Sequence, residues 1–408
     1  MEAIEPLCDR LEAFVRDTIF AFETDPRLTP HGPNAALVNE VRELAREQGC
    51  LTPHILADGS HRSQRDTARL LRITGLSPLG SVACNTAAPD EGNMFLLGKA
   101  ANEAQKARFL DPLKSGRQRS AFFMTEPAES GGAGSDPSMM NTHARRSNDG
   151  SWVIDGTKTF ITGADGAGVG IILAKAEEGA CMFLVSLPDP QIRIERVLDT
   201  IDSSMPGGHA LVHIDGLRVP PEQLLGQPGD GFRLAQIRLA PARLSHCMRW
   251  TGLGIRAQEL ATEYACRRQA FGKTLIDHEG VGFKLAENQI DLRQAILMTD
   301  WCAGVLDRNE RGNVESSMAK VAVSEALFRV ADRCVQVMGG SGVTGDSIVA
   351  QFFCETRAFR IYDGPTEVHK WSLAKKIKRA ALARQETPEV ADGDHGTHRA
   401  PGTDALRR

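Results

Sequence analysis

The amino-acid sequence predicts a mostly α-helical protein with a β-rich middle domain. Apolar residues recur at helical spacing near the N-terminus, as at Leu37 and Val41, and again through most of the second half of the chain. Between these stretches the apolar runs are short and close together, which favours an antiparallel barrel or sandwich over alternating strands and helices. We therefore expect an N-terminal helical domain at 1–120, a β domain at 121–228 and an antiparallel helical bundle at 229–384.

The individual elements follow from these patterns. The candidate strands are the runs at 152–154, 157–162, 169–173, 181–187, 192–197 and 210–214. Asp155-Gly156 is a strong turn signal, so the first two runs are expected to form a hairpin. Three long segments with one apolar face each, at 253–268, 281–306 and 318–338, predict the helices of the bundle.

The composition is that of an ordinary soluble globular protein and excludes several classes. The chain of 408 residues has a formal net charge of -4 with mixed acids and bases, so no basic surface for nucleic acid is expected. No apolar run is long enough to span a membrane, and the acidic N-terminus argues against a transit or signal peptide. Nine dispersed cysteines without a C-x-x-C pair favour reduced thiols and a cytoplasmic location, and the equally scattered histidines argue against a metal site.

The last residues, 385–408, differ from the rest in composition. They are rich in Gly, Pro, Asp, Thr and Arg and contain almost no large apolar side chains. Such a segment cannot bury enough apolar surface to offset the entropy lost on ordering, so a disordered tail is predicted.

Two glycine-rich segments match nucleotide-binding patterns but lack the required context. The segment 340–345 fits the dinucleotide fingerprint, yet 331–338 before it has the pattern of a helix where a strand is needed. The segment 272–274 has the end of a P-loop, but Arg267 stands where the first glycine belongs. Neither segment is therefore expected to bind a nucleotide in these ways.

Two motifs in the predicted β domain are candidates for holding a large planar ligand. Small residues over 122–136 let the backbone approach such a ligand closely, with hydroxyls from Thr125 and Ser135. A second segment, 156–163, is strand-like and ends in Thr162 and a glycine. Taken alone, a surface loop and an ordinary hairpin are the better explanations.

Three further motifs lie in the predicted bundle. Tyr264, Arg268 and Phe271 are spaced by four and three, so they are expected to share one helix face, where an arginine beside an aromatic ring suits a nucleotide cofactor. The segment 336–340 ends a helix and opens its backbone amides, and 361–369 contains an aspartate before Gly-Pro, normally a turn former. Each has an ordinary explanation by itself, but the order and spacing of all five motifs argue against coincidence.

The five motifs in this order resemble those of the acyl-CoA dehydrogenase family. The similarity is specific from Ala121 onward and weaker over the N-terminal helices. The segments 88–94, 239–249 and 363–369 are also similar to the acyl-CoA dehydrogenase domains that animals fuse to a phosphotransferase-like kinase; the last reads D-G-P-T-E-V-H. The resemblance implies an N-terminal helical domain, a central β-barrel and a C-terminal four-helix bundle, with FAD bound between the subunits of a homodimer or homotetramer.

The resemblance also implies a role for each motif. The residues expected to contact FAD are Met124, Thr125, Ser135, Phe160, Ile161, Thr162, Arg268, Phe271, Gln336, Gly339 and Gly340. Among them, Thr162 would place its hydroxyl near flavin N5, and the group from Arg268 onward would reach the FAD of a neighbouring subunit. The residues expected to bind the acyl-CoA substrate are Ser135, Arg243 and Gly364.

Asp363 is the expected catalytic base. By resemblance it would take the α-proton of the thioester while the β-hydride passes to the flavin, and the electrons would go on to an electron-transfer flavoprotein, as in β-oxidation. The sequence departs from the family pattern in four places. The base is aspartate where most members have glutamate, Ala242 occupies the position of an alternative base, and Phe160 replaces a tryptophan. In addition, four extra residues between the T-E-P and G-S-D motifs blur the alignment at 129–131.

Two other functions remain open at this point. One is action on an acyl-CoA with a 4-hydroxy or 4-phospho group, which the resemblance to the animal domains implies. The other is a catalytically silent flavoprotein of the same fold, because the candidate base is short. A flavin oxidase or monooxygenase is less favoured, since Asp363 retains a carboxylate.

Overall fold

The computed structural model of the protein describes residues 3–56, 58–132, 134 and 136–385. The predicted tail at 385–408 lies outside these residues, apart from Gln385 at the end of the last helix. Within the described part of the chain, no helix is both long and apolar enough to cross a membrane. Seven of the nine cysteines are buried, Cys354 is half-buried and Cys266 is exposed.

The N-terminal part is helical, with one short hairpin. Its helices are α1 (Ile4–Ala13), α2 (Ala35–Glu47), α3 (Gln64–Thr74), α4 (Pro78–Ala83), α5 (Asp90–Ala100), α6 (Glu103–Gln105) and α7 (Asp111–Lys114), and its strands are β1 (Leu28–Thr29) and β2 (Gly32–Pro33). Side chains of Asn34 and Ser63 begin α2 and α3 by accepting hydrogen bonds from first-turn amides. Leu37 and Val41 are fully buried, which confirms the helical periodicity seen in the sequence.

The described residues of the middle part form one mostly antiparallel sheet of eight strands. They are β3 (Ser120–Phe123), β4 (His143–Arg146), β5 (Trp152–Thr162), β6 (Val169–Ala176), β7 (Gly179–Ser186), β8 (Ile192–Leu198), β9 (His209–Val219) and β10 (Leu224–Leu225). The strand order is β10-β7-β6-β4-β5-β9-β8, and β3 pairs in parallel with β6. Buried side chains such as Phe123, Ile154 and Phe183 fill its interior.

The predicted hairpin at Asp155-Gly156 is wrong, because β5 runs without a break through both residues. The pairing of β5 with β9 shifts register between Ile154 and Gly156, so the dipeptide forms an irregularity in the ladder instead of a turn. A Cβ atom at position 156 would lie 2.4 Å from the hydroxyl oxygen of Thr142. The glycine is therefore required by the close approach of the neighbouring strand.

The C-terminal part is a helical bundle. It contains α8 (Gly231–Arg267), the hairpin strands β11 (Gln269–Ala270) and β12 (Lys273–Thr274), α9 (Glu279–Asp307), α10 (Asn313–Met338), α11 (Ile348–Phe359) and α12 (Thr366–Gln385). Helix α10 packs against α8, α9 and α11, and it covers 331–338, so the glycines at 340–345 follow a helix and not a strand. Helix α3 packs against α8 so closely that a Cβ at Gly252 would lie 2.0 Å from the carbonyl oxygen of Arg72. One continuous core therefore joins the N-terminal helices to the bundle.

Candidate active site

The loop that carries Asp363 is held by side chains from three helices. The carbonyl oxygen of Asp363 accepts hydrogen bonds from Nε of Arg243 on α8, at 3.0 Å, and from Nε2 of His369 on α12, at 3.1 Å. The next carbonyl, of Gly364, accepts one from Nζ of Lys320 on α10, at 3.0 Å. Because α8, α10 and α12 converge on two successive peptide groups, the position of Asp363 is set by the bundle as a whole.

The backbone of this loop admits only certain residues. Asp363 has a φ of 52°, in the left-handed region that aspartate tolerates better than most side chains. Gly364 has a φ of 97°, and a Cβ there would lie 2.6 Å from Nε2 of His369. The amide of Gly364 makes no hydrogen bond within the described residues, so it is available to a ligand.

The carboxylate of Asp363 is paired with a histidine of fixed tautomer. Oδ2 of Asp363 lies 2.9 Å from Nε2 of His246, and Nδ1 of His246 lies 3.1 Å from an Nη of Arg249. An arginine can only donate, so Nδ1 accepts, and the proton of the imidazole is on Nε2, which donates to Asp363. The same guanidinium is fixed by the carbonyl oxygen of Thr86, at 2.8 Å.

The charges around Asp363 keep it ionised. Burial alone would raise its pKa, but the contact with His246 and the charges of Arg238 and Arg243 outweigh burial and hold the pKa well below its usual range. Burial and the nearby Arg249 charge lower the pKa of His246, so the imidazole is neutral near neutral pH. The side chain of Asp363 is still 19% exposed, and within the described residues its second oxygen, Oδ1, has no hydrogen-bond partner. The site therefore presents an ionised carboxylate with one oxygen engaged and one open.

A second group of predicted site residues lies at the end of β5. Phe160 has a left-handed φ of 53° where the ladder with β9 shifts register, and this turns its side chain outward, 59% exposed. Ile161 is buried in the sheet core, so only its backbone is available to a ligand. Oγ1 of Thr162 lies 2.9 Å from Nδ1 of His209.

The loop after β3 is pinned against this same strand. The carbonyl oxygen of Thr125 accepts a hydrogen bond from the amide of Thr159 at 2.9 Å, and that of Met124 accepts one from the buried Nζ of Lys158 at 3.1 Å. Lys158 also forms a buried ion pair with Glu126 at 2.8 Å. These contacts bring Met124 and Thr125 beside the strand that leads to Thr162. Ser135, predicted for both ligands, lies outside the described residues.

The third group lies on the surface of the bundle, and its predicted helix face is wrong. Helix α8 ends at Arg267, so Arg268 is extended and does not share a helical turn with Phe271. Phe271 and Gly272 are the two loop residues of the β11–β12 hairpin, with left-handed φ values of 52° and 84°. A two-residue hairpin turn of this kind needs positive φ at both positions, which explains why Gly272 follows Phe271 here instead of ending a helix.

The remaining members of this group lie at the end of α10. The predicted helix end is confirmed: α10 stops at Met338, and the carbonyl oxygen of Gln336 accepts from the amide of Gly339. No heavy atom of the residues that the structure describes lies within 4 Å of a Cβ built at Gly339 or Gly340. Phe271 is 96% exposed, and within the described residues no hydrogen bond or ion pair joins this group to Thr162 or Asp363. One copy of the chain thus leaves these residues facing solvent.

Several polar residues of the site were not assigned from the sequence. His246 and Arg249 lie in a segment quoted for its resemblance, and their spacing from Ala242 places all three along one side of α8, which was a usable signal. Nothing in the sequence marks Lys320 as a site residue, because it lies in an ordinary amphipathic helix. Nothing marks His209 either, since its contact with Thr162 depends on the register of β5 and β9.

Fold and site together define a class: N-terminal helices and a C-terminal bundle that share one core, a β domain between them in the sequence, and an ionised carboxylate fixed at the bundle. Comparison with known proteins gives the family. The family model for the acyl-CoA dehydrogenase C-terminal domain matches residues 229–378, and that for the middle domain matches 121–206. FadE2 of Mycobacterium tuberculosis, named a probable acyl-CoA dehydrogenase, is 34% identical over 94% of this chain and 96% of its own length. The chain belongs to the acyl-CoA dehydrogenase family.

Other relatives share less of their length or only the fold. Mouse acyl-CoA dehydrogenase family member 10 is 33% identical over 95% of this chain, but the chain spans only 38% of that relative. A Mycobacterium abscessus structure, described provisionally as an acyl-CoA dehydrogenase, has a TM-score of 0.83 and 31% identity, covering 94% of this chain and 98% of that one. The glutaryl-CoA dehydrogenase of Mycobacterium smegmatis in complex with FADH2 has a TM-score of 0.78 at 22% identity, covering 92% and 94%. The predicted fold is thereby confirmed.

Proposed function

We propose that this protein is an FAD-dependent dehydrogenase that converts an acyl-CoA thioester to the trans-2-enoyl-CoA. The observation that carries the proposal is the state of Asp363, an ionised carboxylate in a fixed loop with one oxygen open. A proton acceptor needs this state and this access. Family membership supports the same conclusion, because it names the class of substrate.

The chain's own residues fit the proton-transfer half of this reaction. Oδ1 of Asp363 would take the α-proton, while His246 keeps Oδ2 engaged and so limits rotation of the carboxyl group. The amide of Gly364 would donate to the thioester oxygen, where negative charge develops as the α-proton leaves. Arg243 would position the acyl-CoA beside the loop that it already holds.

The residues proposed for FAD also fit that cofactor. Phe160 offers an exposed aromatic face, Thr162 a hydroxyl, and Met124 and Thr125 lie on the loop pinned beside them. When bound, FAD supplies the acceptor for the β-hydride. The presence of FADH2 in the similarly folded Mycobacterium smegmatis protein supports the assignment. Ser135 stays a proposal from the sequence.

A homodimer or homotetramer would complete the cofactor site. Arg268, Phe271, Gln336, Gly339 and Gly340 are proposed to reach the FAD of a second copy, which agrees with their open position in one copy. Helix α9 also exposes three apolar side chains at seven-residue intervals: Phe283, Ile290 and Leu297, at 63%, 58% and 60%. Such a stripe is usually covered by another protein surface.

The experiment that tests the proposal is anaerobic mixing of the purified protein with a panel of acyl-CoA thioesters. We expect the protein to be yellow and its flavin absorbance to bleach with at least one member of the panel. A flavin that stays oxidised with every thioester would instead establish the catalytically silent alternative. Turnover with an electron-transfer flavoprotein, proposed as the physiological acceptor, would follow. The cytoplasmic location and the domain limits at 120, 228 and 384 also stay proposals.

A second candidate, action on an acyl chain that carries oxygen, is favoured by a buried polar cluster. His54 is fully buried and Glu91 is 1% exposed, and among the described residues neither ring nitrogen of His54 nor Oε2 of Glu91 has a hydrogen-bond partner. Oε1 of Glu91 lies 3.7 Å from Nε2 of His61. The charge of Arg249, which holds His246, acts on both Glu91 and His54. Unpaired buried polar atoms are costly, so a polar ligand group or water is expected among them.

The cluster favours a hydroxyl over a phosphate. Burial alone would raise the pKa of Glu91, but His61, His54 and Arg249 lower it to about 2, so Glu91 is a carboxylate. A phosphate would therefore be repelled by a like charge. A hydroxyl could donate to Glu91 and accept from His54. If 4-hydroxyacyl-CoA is the substrate, His54→Leu should lower its kcat/KM about tenfold and spare the unsubstituted thioester. Equal losses for both thioesters would contradict this candidate.

A further inference from the structure

A hydrogen-bonded chain leads from Thr162 to a buried carboxylate. Thr162 ends β5 opposite His209 on β9, and Oγ1 of Thr162 lies 2.9 Å from Nδ1 of His209. Nε2 of His209 in turn lies 2.9 Å from Oδ2 of Asp202. The side chains of His209 and Asp202 are only 12% and 6% exposed, so water competes little for these contacts.

The hydrogen-bonded chain fixes the protonation of one nitrogen of His209 and leaves that of the other free to change. Burial alone would raise the pKa of Asp202, but its contact with His209 outweighs burial and lowers it, so Asp202 is a carboxylate. A carboxylate only accepts, so Nε2 of His209 carries a proton in both charge states of the ring. When the ring is neutral, Nδ1 accepts the Thr162 proton; when it is charged, Nδ1 donates to the Thr162 oxygen.

We propose that His209 and Asp202 are positioning residues that decide whether the Thr162 hydroxyl donates to or accepts from a bound isoalloxazine ring. This inference rests on the proposed function, in which Thr162 lies at that ring. The ring nitrogen N5 accepts a hydrogen bond when oxidised and donates one when reduced, so its best partner must reverse its role. His209 permits the reversal by losing one proton to solvent; no electron moves at the imidazole.

Two carboxyl groups face His209 from different elements. Asp202 faces it from the loop before β9, and Glu355 from α11, where the carboxyl oxygens accept from the amide of Ser203 and the hydroxyl of Ser204 at 2.9 and 2.8 Å. Burial and the Asp202 charge raise the pKa of Glu355 to about 7. Tyr362 beyond it stays a neutral phenol, because burial raises its pKa far above the usual range. On the solvent side, His31 and Asp199 form a separate pair at 3.7 Å.

The same sheet provides a matched control. Four residues along β9, His213 lies opposite Thr157, with Nδ1 at 3.2 Å from the threonine Oγ1, and its Nε2 contacts Glu195. This second threonine–histidine–carboxylate chain has the same connectivity and the same strands. It sits about 16 Å along β5 from Thr162, at the usual rise per residue, so it should not influence a ring bound there.

The test measures the midpoint potential of the flavin against pH in the holoenzyme and three variants. Reduction adds one proton to the ring, so the potential should fall steadily with pH unless another group releases a proton. In the unmodified protein we expect a flat interval, because His209 releases one. His209→Gln and Thr162→Val should both abolish the interval, and His213→Gln should keep it.

The outcomes separate this inference from the proposed function. A protein that holds flavin but shows the same steady slope before and after His209→Gln would overturn the inference alone. A flat interval that survives Thr162→Val would also overturn it, since the hydroxyl would not be the link. If His209→Gln loses its flavin, Thr162→Val decides the question, because it keeps the shape of the side chain. A protein that binds no flavin at all would overturn the proposed function itself.

Discussion

Replacing Asp363 by asparagine tests the proposed base with little disturbance of its surroundings. Asparagine has the same shape and tolerates the left-handed φ of 52° that this position requires. Its carbonyl oxygen can still accept from Nε2 of His246, at the 2.9 Å now spanned to the carboxylate. The backbone carbonyl held by Arg243 and His369 is unaffected. The change therefore removes the proton acceptor and leaves the loop in place.

The structure gives different magnitudes for activity and stability. A positioned general base contributes about 100- to 10,000-fold, so anaerobic flavin reduction should slow by that factor, which corresponds to about 3–5 kcal/mol in the barrier. The hydrogen bond from His246 changes from a charged to a neutral one, so the free energy of unfolding should fall by about 1 kcal/mol. Flavin content and acyl-CoA binding should be unchanged, since neither depends on the carboxylate charge.

The assay is stopped-flow anaerobic flavin reduction, with acyl-CoA binding measured separately by titration. Asp363→Glu is the control, because it keeps a carboxylate while placing a less tolerant side chain at positive φ, so it should retain part of the rate. If Asp363 only shapes the turn before Gly364, asparagine would be harmless and glutamate damaging. Rapid flavin reduction by the asparagine variant would refute the assignment of the base.

Three further changes test other parts of the reasoning. Arg268→Ala should weaken FAD binding about 10- to 100-fold in equilibrium dialysis, whereas the control Arg267→Ala, one residue earlier, should not. Equal effects of the two changes would contradict the role of Arg268. Glu355→Gln should raise the free energy of unfolding at pH 8 by up to about 3 kcal/mol, but not at pH 4.5. The reason is that the pKa of Glu355 is raised to about 7 in the folded protein, so the folded state binds more protons than the unfolded chain and loses stability as the pH rises between these values. Denaturation curves without this pH dependence would argue against a buried carboxyl group with a raised pKa. Removal of 386–408 should leave solubility and flavin content unchanged, because that composition offers little apolar surface to bury.

The sequence was a good guide to the fold because its periodicities are strong. The alternation of short apolar runs located most strands, and the helical spacing located α8, α9 and α10. It was misleading where a local signal had two structural uses. The dipeptide Asp155-Gly156 is of a kind common in turns, yet here the glycine leaves room for the side chain of Thr142 and strand β5 continues. Only the neighbouring strand decides between the two uses, and the sequence does not show that neighbour.

The site was predictable in its motifs but not in its connections. Asp363 and Thr162 were predicted as site residues from motif order, whereas the histidines that contact them were not. His246 reaches Asp363 from a helix 117 positions earlier, since α8 and α11 pack together. His209 reaches Thr162 only because the register of β5 and β9 places them opposite each other. The spacing of His246 from Ala242 indicates its side of α8, but the partner that each histidine contacts is decided by tertiary packing and not by any spacing in the sequence.

The short side chain of Asp363, which first favoured a silent protein, has a structural explanation. Both the carbonyl of this residue and that of Gly364 are fixed by side chains from three helices, so the backbone and not the side-chain length places the carboxylate. A left-handed φ suits aspartate better than glutamate, and Nε2 of His246 stands where it meets the shorter carboxylate at 2.9 Å. The loop is therefore built for aspartate, so the short side chain is no longer a reason to favour a catalytically silent protein.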